Sequence, residues 1–327
     1  MISIDIIIDF VLLTMLVFTT VAIVRLRSLF AIVMLSGIYS LLSANIFVIL
    51  DAVDVAFTEA AVGAGISTVL MLATIGITGY EMKKRSRNSR LVSLVVVTIT
   101  GAVLVYGTLD MPSFGDSTAP IHQHVAPRYI IDSPNEIGIP NMVTSVLASY
   151  RGYDTMGEVI VVFAALVGVL SLLGIREPKL EPNYLEEPAR PILQVMAKFM
   201  FPFIILFALY VQFHGDFGPG GGFQAGVIFS VAIILYTLTF SQYDGMRLVP
   251  PDVLKILAAL GVLIYGGTGV WTLFNGGAFL NYSVLGSTSV GGQHLGILII
   301  EFGVGLTVAS SMMLLFFAFI SRGNNKL

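Results

Sequence analysis

Cysteine is absent from all 327 residues, so the chain forms no disulfide and offers no thiolate to an iron–sulfur cluster. Charge is also scarce. Only 11% of residues are Asp, Glu, Lys or Arg, against about 25% in a soluble globular domain. With 56% hydrophobic residues and a mean hydropathy of +0.91, an ordinary water-soluble fold is excluded. There are four histidines, and the pair His122 and His124 supplies too few ligands for a metal; both read as solvated surface. No Gly-Lys-Ser/Thr follows the glycine run at Gly220, which removes a phosphate-binding loop. No cofactor, no permanently bound metal and no nucleic-acid partner is expected. The first apolar stretch reads as a retained span and not a cleaved signal, because Asp5 and Asp9 stand where a basic region would lie.

Long apolar runs are what the sequence has in abundance. Nine segments can each cross a bilayer: Ile4 to Val24, Leu26 to Leu50, Val53 to Tyr80, Leu91 to Leu109, Tyr153 to Ile175, Val195 to Phe213, Gly221 to Phe240, Val253 to Phe274 and Gln293 to Ile320. They are continuously apolar and longer than barrel strands, so the expected fold is all-α, a polytopic helical membrane protein. Basic residues collect on the cytoplasmic side of short loops. Placing the run Lys83, Lys84, Arg85, Arg87 and Arg90 inside and alternating the spans puts all but Arg128 and Arg151 of the 17 basic residues inside. The expected topology has the N-terminus outside and the C-terminus inside, in the cell membrane.

The basic loop and the stretch EPKLEPNYLEEPARP, Glu177 to Pro191, divide the chain into regions 1–90, 91–176 and 193–327, with 177–192 as a cytoplasmic linker. Segment 110–152 is rich in Pro, Ser, Asp and Asn, and reads as an external cap or docking loop. No internal repeat is evident, unlike transporters built from inverted repeats.

A carboxylate inside a span costs roughly 2.5 to 3.5 kcal/mol at the helix centre, so each one calls for a reason. Glu59 lies about six residues into its span, ~9 Å at about 1.5 Å per residue. Glu158 is at similar depth and Glu301 deeper. All three spans run from outside to inside, so the glutamates share the outer half of the membrane. Asp154 is four residues from Glu158 and His294 seven from Glu301, spacings that place each pair on one helix face. Two readings stand side by side: these groups line a proton or cation path, with a transient Na+ near Glu59 or Glu158, or the outer ones cap and snorkel at helix ends. Asp51 and Asp54 need only the helix N-terminus as explanation. In HGDFGPGGGFQAG, His214 to Gly226, Pro219, Gly220, Gly221 and Gly222 permit a tight backbone and leave amides free at the head of a span, with Phe223 following. Such a segment either receives an anion or carboxylate or is a turn with close helix packing. The small-residue stretches at Gly63 to Gly65 and Tyr265 to Gly269 read as close packing.

Three runs carry a family resemblance. DVAFTEAAVGAGIST, Asp54 to Thr68, resembles the D subunit of membrane-bound hydrogenases and the C-terminal part of the large Mrp antiporter component, its A-type protein. NMVTSVLASYRGYDTMGEV, Asn141 to Val159, is similar to the E-type segment that follows it. HGDFGPGGGFQAG and IIEFGVGLTVAS, Ile299 to Ser310, resemble the B-type protein of Mrp. The resemblance implies a membrane subunit of a multi-subunit Na+/H+ antiporter, with buried glutamates, Glu59 and Glu158 at the motif positions, in an ion path. Its implied partners are other Mrp subunits: short A-like and D-like antiporter proteins, and C, E, F and G types. The alternative it leaves open is the ion-translocating module of a redox-driven complex.

Overall fold

The computed structural model describes residues 4–82, 87–113, 115–176 and 191–323. The basic run Lys83 to Arg85, the stretch Glu177 to Arg190 and Lys326 lie outside them. Among the described residues, nine helices are long and apolar enough to span a membrane. They are α1 (Ile4–Arg25), α2 (Leu29–Ile49), α3 (Val53–Thr78), α4 (Arg87–Thr108), α5 (Gly152–Leu173), α6 (Pro191–His214), α7 (Gly222–Thr239), α8 (Pro251–Phe274) and α9 (Ser289–Gly323). The all-helical fold expected from hydropathy is the one observed. Helix is the form in which an isolated segment satisfies its own backbone where water cannot.

Local chemistry marks the boundaries. The Ser28 hydroxyl accepts from the Ala31 amide at the start of α2, and Pro251 opens α8, where its missing N–H costs nothing. Gly79 and Gly174, at φ +99° and +63°, end α3 and α5 in backbone forms that L side chains avoid. Two details differ from a plain reading of nine uniform spans. The middle of α3, Ala60–Ile66, is wound as a π-helix, as is Ser145–Tyr150 just ahead of α5. Such wide turns are rare and gather at functional sites. The last helix is 35 residues long, about 50 Å at 1.5 Å per residue and well beyond the roughly 30 Å hydrocarbon core.

Burial is uneven. The apolar windows of α9 and α7 are 72% and 61% buried, those of α1 and α4 6% and 0%. The core therefore sits in the C-terminal region around α9, which packs against α7, α8, α5 and the second half of α3. No side chain in the apolar window of α4 is buried against this chain. Short helices between Pro120 and Tyr150 lie over one end of the bundle, where Ile137 and Ile139 are buried in the core. At the opposite end Arg176 N donates to Ser321 Oγ and Arg322 reaches the Leu173 carbonyl.

Close approach of α7 to α9 requires glycine. A Cβ at Gly226 would stand 2.7 Å from the Gly305 carbonyl oxygen, and one at Gly222 would stand 2.9 Å from the Gly305 nitrogen. Small residues let membrane helices meet backbone to backbone. Gly226→Val is expected to cost about 1–3 kcal/mol through overpacking, seen as a lower melting temperature of the detergent-solubilised protein, whereas Gly76→Ala, with open space at its Cβ, leaves it unchanged.

Candidate functional site

A cluster of polar groups lies at the end of the bundle where α3, α5, α7 and α9 begin. Gly221, at φ +114°, turns the chain so that the Gly222 amide at the head of α7 donates to the Glu301 carboxylate of α9. A Cβ on Gly221 would lie 2.7 Å from Glu301 Oε2. The glycine run thus receives a carboxylate, and that carboxylate is the chain's own. An unpaired first-turn amide and the helix dipole both favour negative charge there. Gly220, Gly221 and Gly222 are buried, Phe223 packs on the core, and His214 stacks on Tyr210 at 4.8 Å. Pro219 is half-buried in the turn between them.

Asn141 ties this turn to the other two regions. Its side-chain amide donates to Asp54 Oδ1 at 3.2 Å and to the carbonyls of Gly215 and Gly218 at 3.1 and 3.0 Å. The Asn141 side-chain oxygen accepts from the Val143 amide, and Thr144 Oγ1 adds a second bond to Gly215. Buried Gln224, on α7, donates to Thr58 Oγ1 at 2.8 Å, one residue before Glu59. His294 faces Asp216 Oδ2 at 3.3 Å and the Gly138 carbonyl at 3.3 Å. Asp216, Asn141 and Gln224 escaped the sequence reading; the only signal was their place inside the motif runs.

Glu59 sits where α3 widens. A Cβ at Gly63 would lie 2.6 Å from Glu59 Oε1 and 2.5 Å from Ser40 Oγ, so the carboxylate and the α2 hydroxyl flank one glycine. Glu158 lies on α5 beside fully enclosed Val159, but its own side chain points away from the chain. Asp154 takes an ion pair with Arg151 at 2.6 Å instead of turning to Glu158.

The expectation of buried glutamates is corrected here. Among the described residues no Asp, Glu, Lys or Arg is buried: Glu59 and Glu301 are half-buried and Glu158 is exposed. The physical reason lies in packing, since α5 turns one face to α9 and leaves the face bearing Glu158 uncovered by this chain. Among the described residues no three His, Asp or Glu side chains are grouped to hold a metal ion, and His122 and His124 are exposed.

Outside the spans, Glu136 receives the Tyr150 hydroxyl and the Arg128 guanidinium. The Tyr150 bond, and after it Arg128, holds the Glu136 carboxyl below its ordinary range. Burial, then Glu136, pushes the Tyr150 hydroxyl up to about 12.

A domain family described as related to the MnhB subunit of Na+/H+ antiporters matches residues 192–314. Families described as the D and E subunits of MBH match residues 14–79 and 83–189. The putative antiporter subunit mnhB2 of Staphylococcus aureus is 34% identical over 131 residues, 37% of this chain and 92% of that protein. The chain belongs to the MnhB family of antiporter subunits. In Rhizobium meliloti, a protein described as the A/B subunit of a probable K+/H+ antiporter is 26% identical over 292 residues, 78% of this MnhB-family chain. The solved Mrp complex from Dietzia sp. DQ12-45-1b aligns with 97% of it at a TM-score of 0.76 and 26% identity. A chain of the archaeal membrane-bound sulfane sulfur reductase aligns with 71% of it at a TM-score of 0.54 and 28% identity, over 98% of that chain's length. The MnhB-family chain spans only 28% of the Rhizobium relative and 35% of the Dietzia chain. It is a multi-pass cell-membrane protein of an antiporter subunit family.

Two outcomes are expected. Asn141→Ala strips a donor from one carboxylate and two carbonyls, lowering stability by about 1–3 kcal/mol in thermal melts of the purified protein, with Asp54→Asn close to neutral. Because the folded-state pKa of Glu136 is depressed, its contribution is present above the unfolded value of about 4.3 and disappears as pH falls through the folded one. Hydrogen-exchange protection of residues 126–137, corrected for intrinsic rate, should therefore hold at neutral pH and weaken once the pH falls below the ordinary Glu value of about 4.3, at a higher pH in Arg128→Ala.

Proposed function

We propose that the chain is a membrane subunit of a multi-subunit Mrp-type antiporter that admits external protons in exchange for cytoplasmic Na+. In this reading Glu59, Glu158, Glu301, Asp154 and His294 lie along the ion path, with a transient Na+ near Glu59 or Glu158. The glycine turn His214 to Phe223 holds Glu301 in place, and the N-terminus lies outside and the C-terminus inside. The observation that carries it is the Glu301 carboxylate held by the Gly222 amide inside a nine-span bundle. An ionisable group at membrane depth with a specific polar partner is a functional feature by default. Half-burial suits exchange, because such a carboxylate can hold either a proton or a cation as its surroundings change.

The exposure of Glu158 and of the whole apolar window of α4 supports partners that complete these faces: short A-like and D-like antiporter proteins, and C, E, F and G types. The D-like, E-like and MnhB-like regions act as three blocks of one polypeptide, joined at Asn141. Potassium stands beside sodium as a candidate cation, since one relative is described as belonging to a K+/H+ antiporter. A second reading, an ion-translocating module driven by a redox partner, is supported by the likeness to the sulfane sulfur reductase chain.

The test is cation-dependent collapse of an imposed pH gradient in vesicles that carry the whole gene cluster and no other antiporter. With assembly intact, Glu59→Gln and Glu158→Gln are expected to cut the sodium-dependent rate by roughly 10-fold or more. Full activity in both variants would make the chain a scaffold, and exchange that requires an electron donor would favour the redox module.

A further inference from the structure

The ring of His294, in the second turn of α9, lies between two oxygens that belong to different segments. Nδ1 stands 3.3 Å from Asp216 Oδ2 in the glycine turn, and Nε2 stands 3.3 Å from the Gly138 carbonyl in the overlying helices. Both oxygens are acceptors. A neutral imidazole carries one N–H and one lone pair, whereas the imidazolium carries two N–H groups. Whichever tautomer the neutral ring adopts, one lone pair is aimed at an oxygen. Only the protonated ring satisfies both sides, and its bond to Asp216 then has charge on both partners, the strong kind.

Each oxygen is brought to the ring by contacts that do not involve the histidine. The Asp216 carbonyl accepts from the Asn141 amide at 3.0 Å. Gly138, at φ +79°, lies between Ile137 and Ile139, both buried, and a Cβ on it would collide with the Val290 side chain of α9. The His294 side chain is 36% exposed, which leaves it open to protons from water. The ionisable groups on the elements around it are engaged elsewhere. Asp54 takes Asn141, Glu136 takes Tyr150 and Arg128, Arg151 takes Asp154, and Glu301, two turns further along α9, takes the Gly222 amide. His214 stacks on Tyr210, Asp132 is exposed, and the Tyr282 ring is enclosed. Among the described residues, Asp216 is the charged group within bonding distance of the ring.

We propose that His294 is a proton-closed clamp, which fastens the overlying helices at Gly138 to the glycine turn at Asp216 and releases one of them when its proton leaves. The same turn carries the Gly222 amide that holds Glu301, so pH on that face sets how firmly the turn is held. The clamp itself follows from the two acceptors; its bearing on cation exchange rests on the antiporter reading above. The contribution of the clamp is present with the proton on the ring and lost with it off. Order at both ends therefore falls as pH rises, opposite in sign to the Glu136 contact, whose contribution is lost as pH falls.

The test uses the full chain in lipid nanodiscs. Its four histidines are labelled with 15N, and the signal that His294→Gln removes is that of His294. Hydrogen exchange of residues 137–141 and 215–222, corrected for intrinsic rate, is followed across the histidine range, about pH 5 to 8. In the wild type, protection is expected to fall about tenfold or more, the worth of a hydrogen bond to a charged group, in step with loss of the His294 proton. Asp216→Asn offers the ring an N–H beside its oxygen, so the neutral ring accepts from Asn and donates to Gly138. Protection in that variant should stay flat over the same range, whereas a merely structural contact would weaken it equally at every pH. His294→Gln, with no titrating ring, should be flat as well. A flat wild-type profile, or a step that survives in either variant, overturns the clamp. In vesicles carrying the whole gene cluster, Asp216→Asn should also flatten the pH dependence of the sodium-dependent rate, and an unchanged profile there overturns the role in exchange. Absence of exchange in the wild type overturns the antiporter reading, while the protection profile still decides the clamp.

Discussion

The crossing of α7 and α9 governs the rest of the structure. Gly222, Gly226 and Gly305 bring the two backbones into contact, and only at that separation does the Gly222 amide reach the Glu301 carboxylate. One side of the crossing is apolar and tight; the other carries the half-buried Glu301 carboxylate. Helices in lipid gain little from burying apolar side chains against each other, so close packing and polar contacts must hold them together. The 35-residue α9 serves as the post for this arrangement, and the other helices of the C-terminal region are ordered by how they lean on it.

Asn141 extends the same logic across the chain. It joins Asp54 near the start of α3 to the carbonyls of the glycine turn, so three stretches far apart in sequence meet at one amide. The short distances there set where Gln224 meets Thr58, and hence how α7 stands beside Glu59 and the π-wound middle of α3. Elsewhere the bundle is left open. Large apolar side chains on α1, α4 and the outer side of α6 are exposed, a surface suited to lipid or to other membrane helices.

Hydropathy and length are local properties, and they made nine helices legible before any coordinates. The tight backbone of the glycine run was equally plain, because three successive glycines after a proline leave few other uses. The burial of the glutamates was not. Glu158 looked interior because a carboxylate in an apolar run is costly, yet which side of α5 is covered depends on where α9 packs. His294 and Glu301 share a helix face at a spacing of seven, but His294 is taken by Asp216 on another segment.

The sequence by itself determined the membrane-spanning class, the helix count and the residue types available for ion chemistry, since each follows from composition within about 20 residues. Tertiary structure alone decided the partners. Glu301 meets an amide 79 positions away, Asn141 a carboxylate 87 positions away, and Tyr265 a carbonyl 113 positions away. Such pairs are fixed by helix crossings and backbone approach, to which the pattern of any one segment is blind.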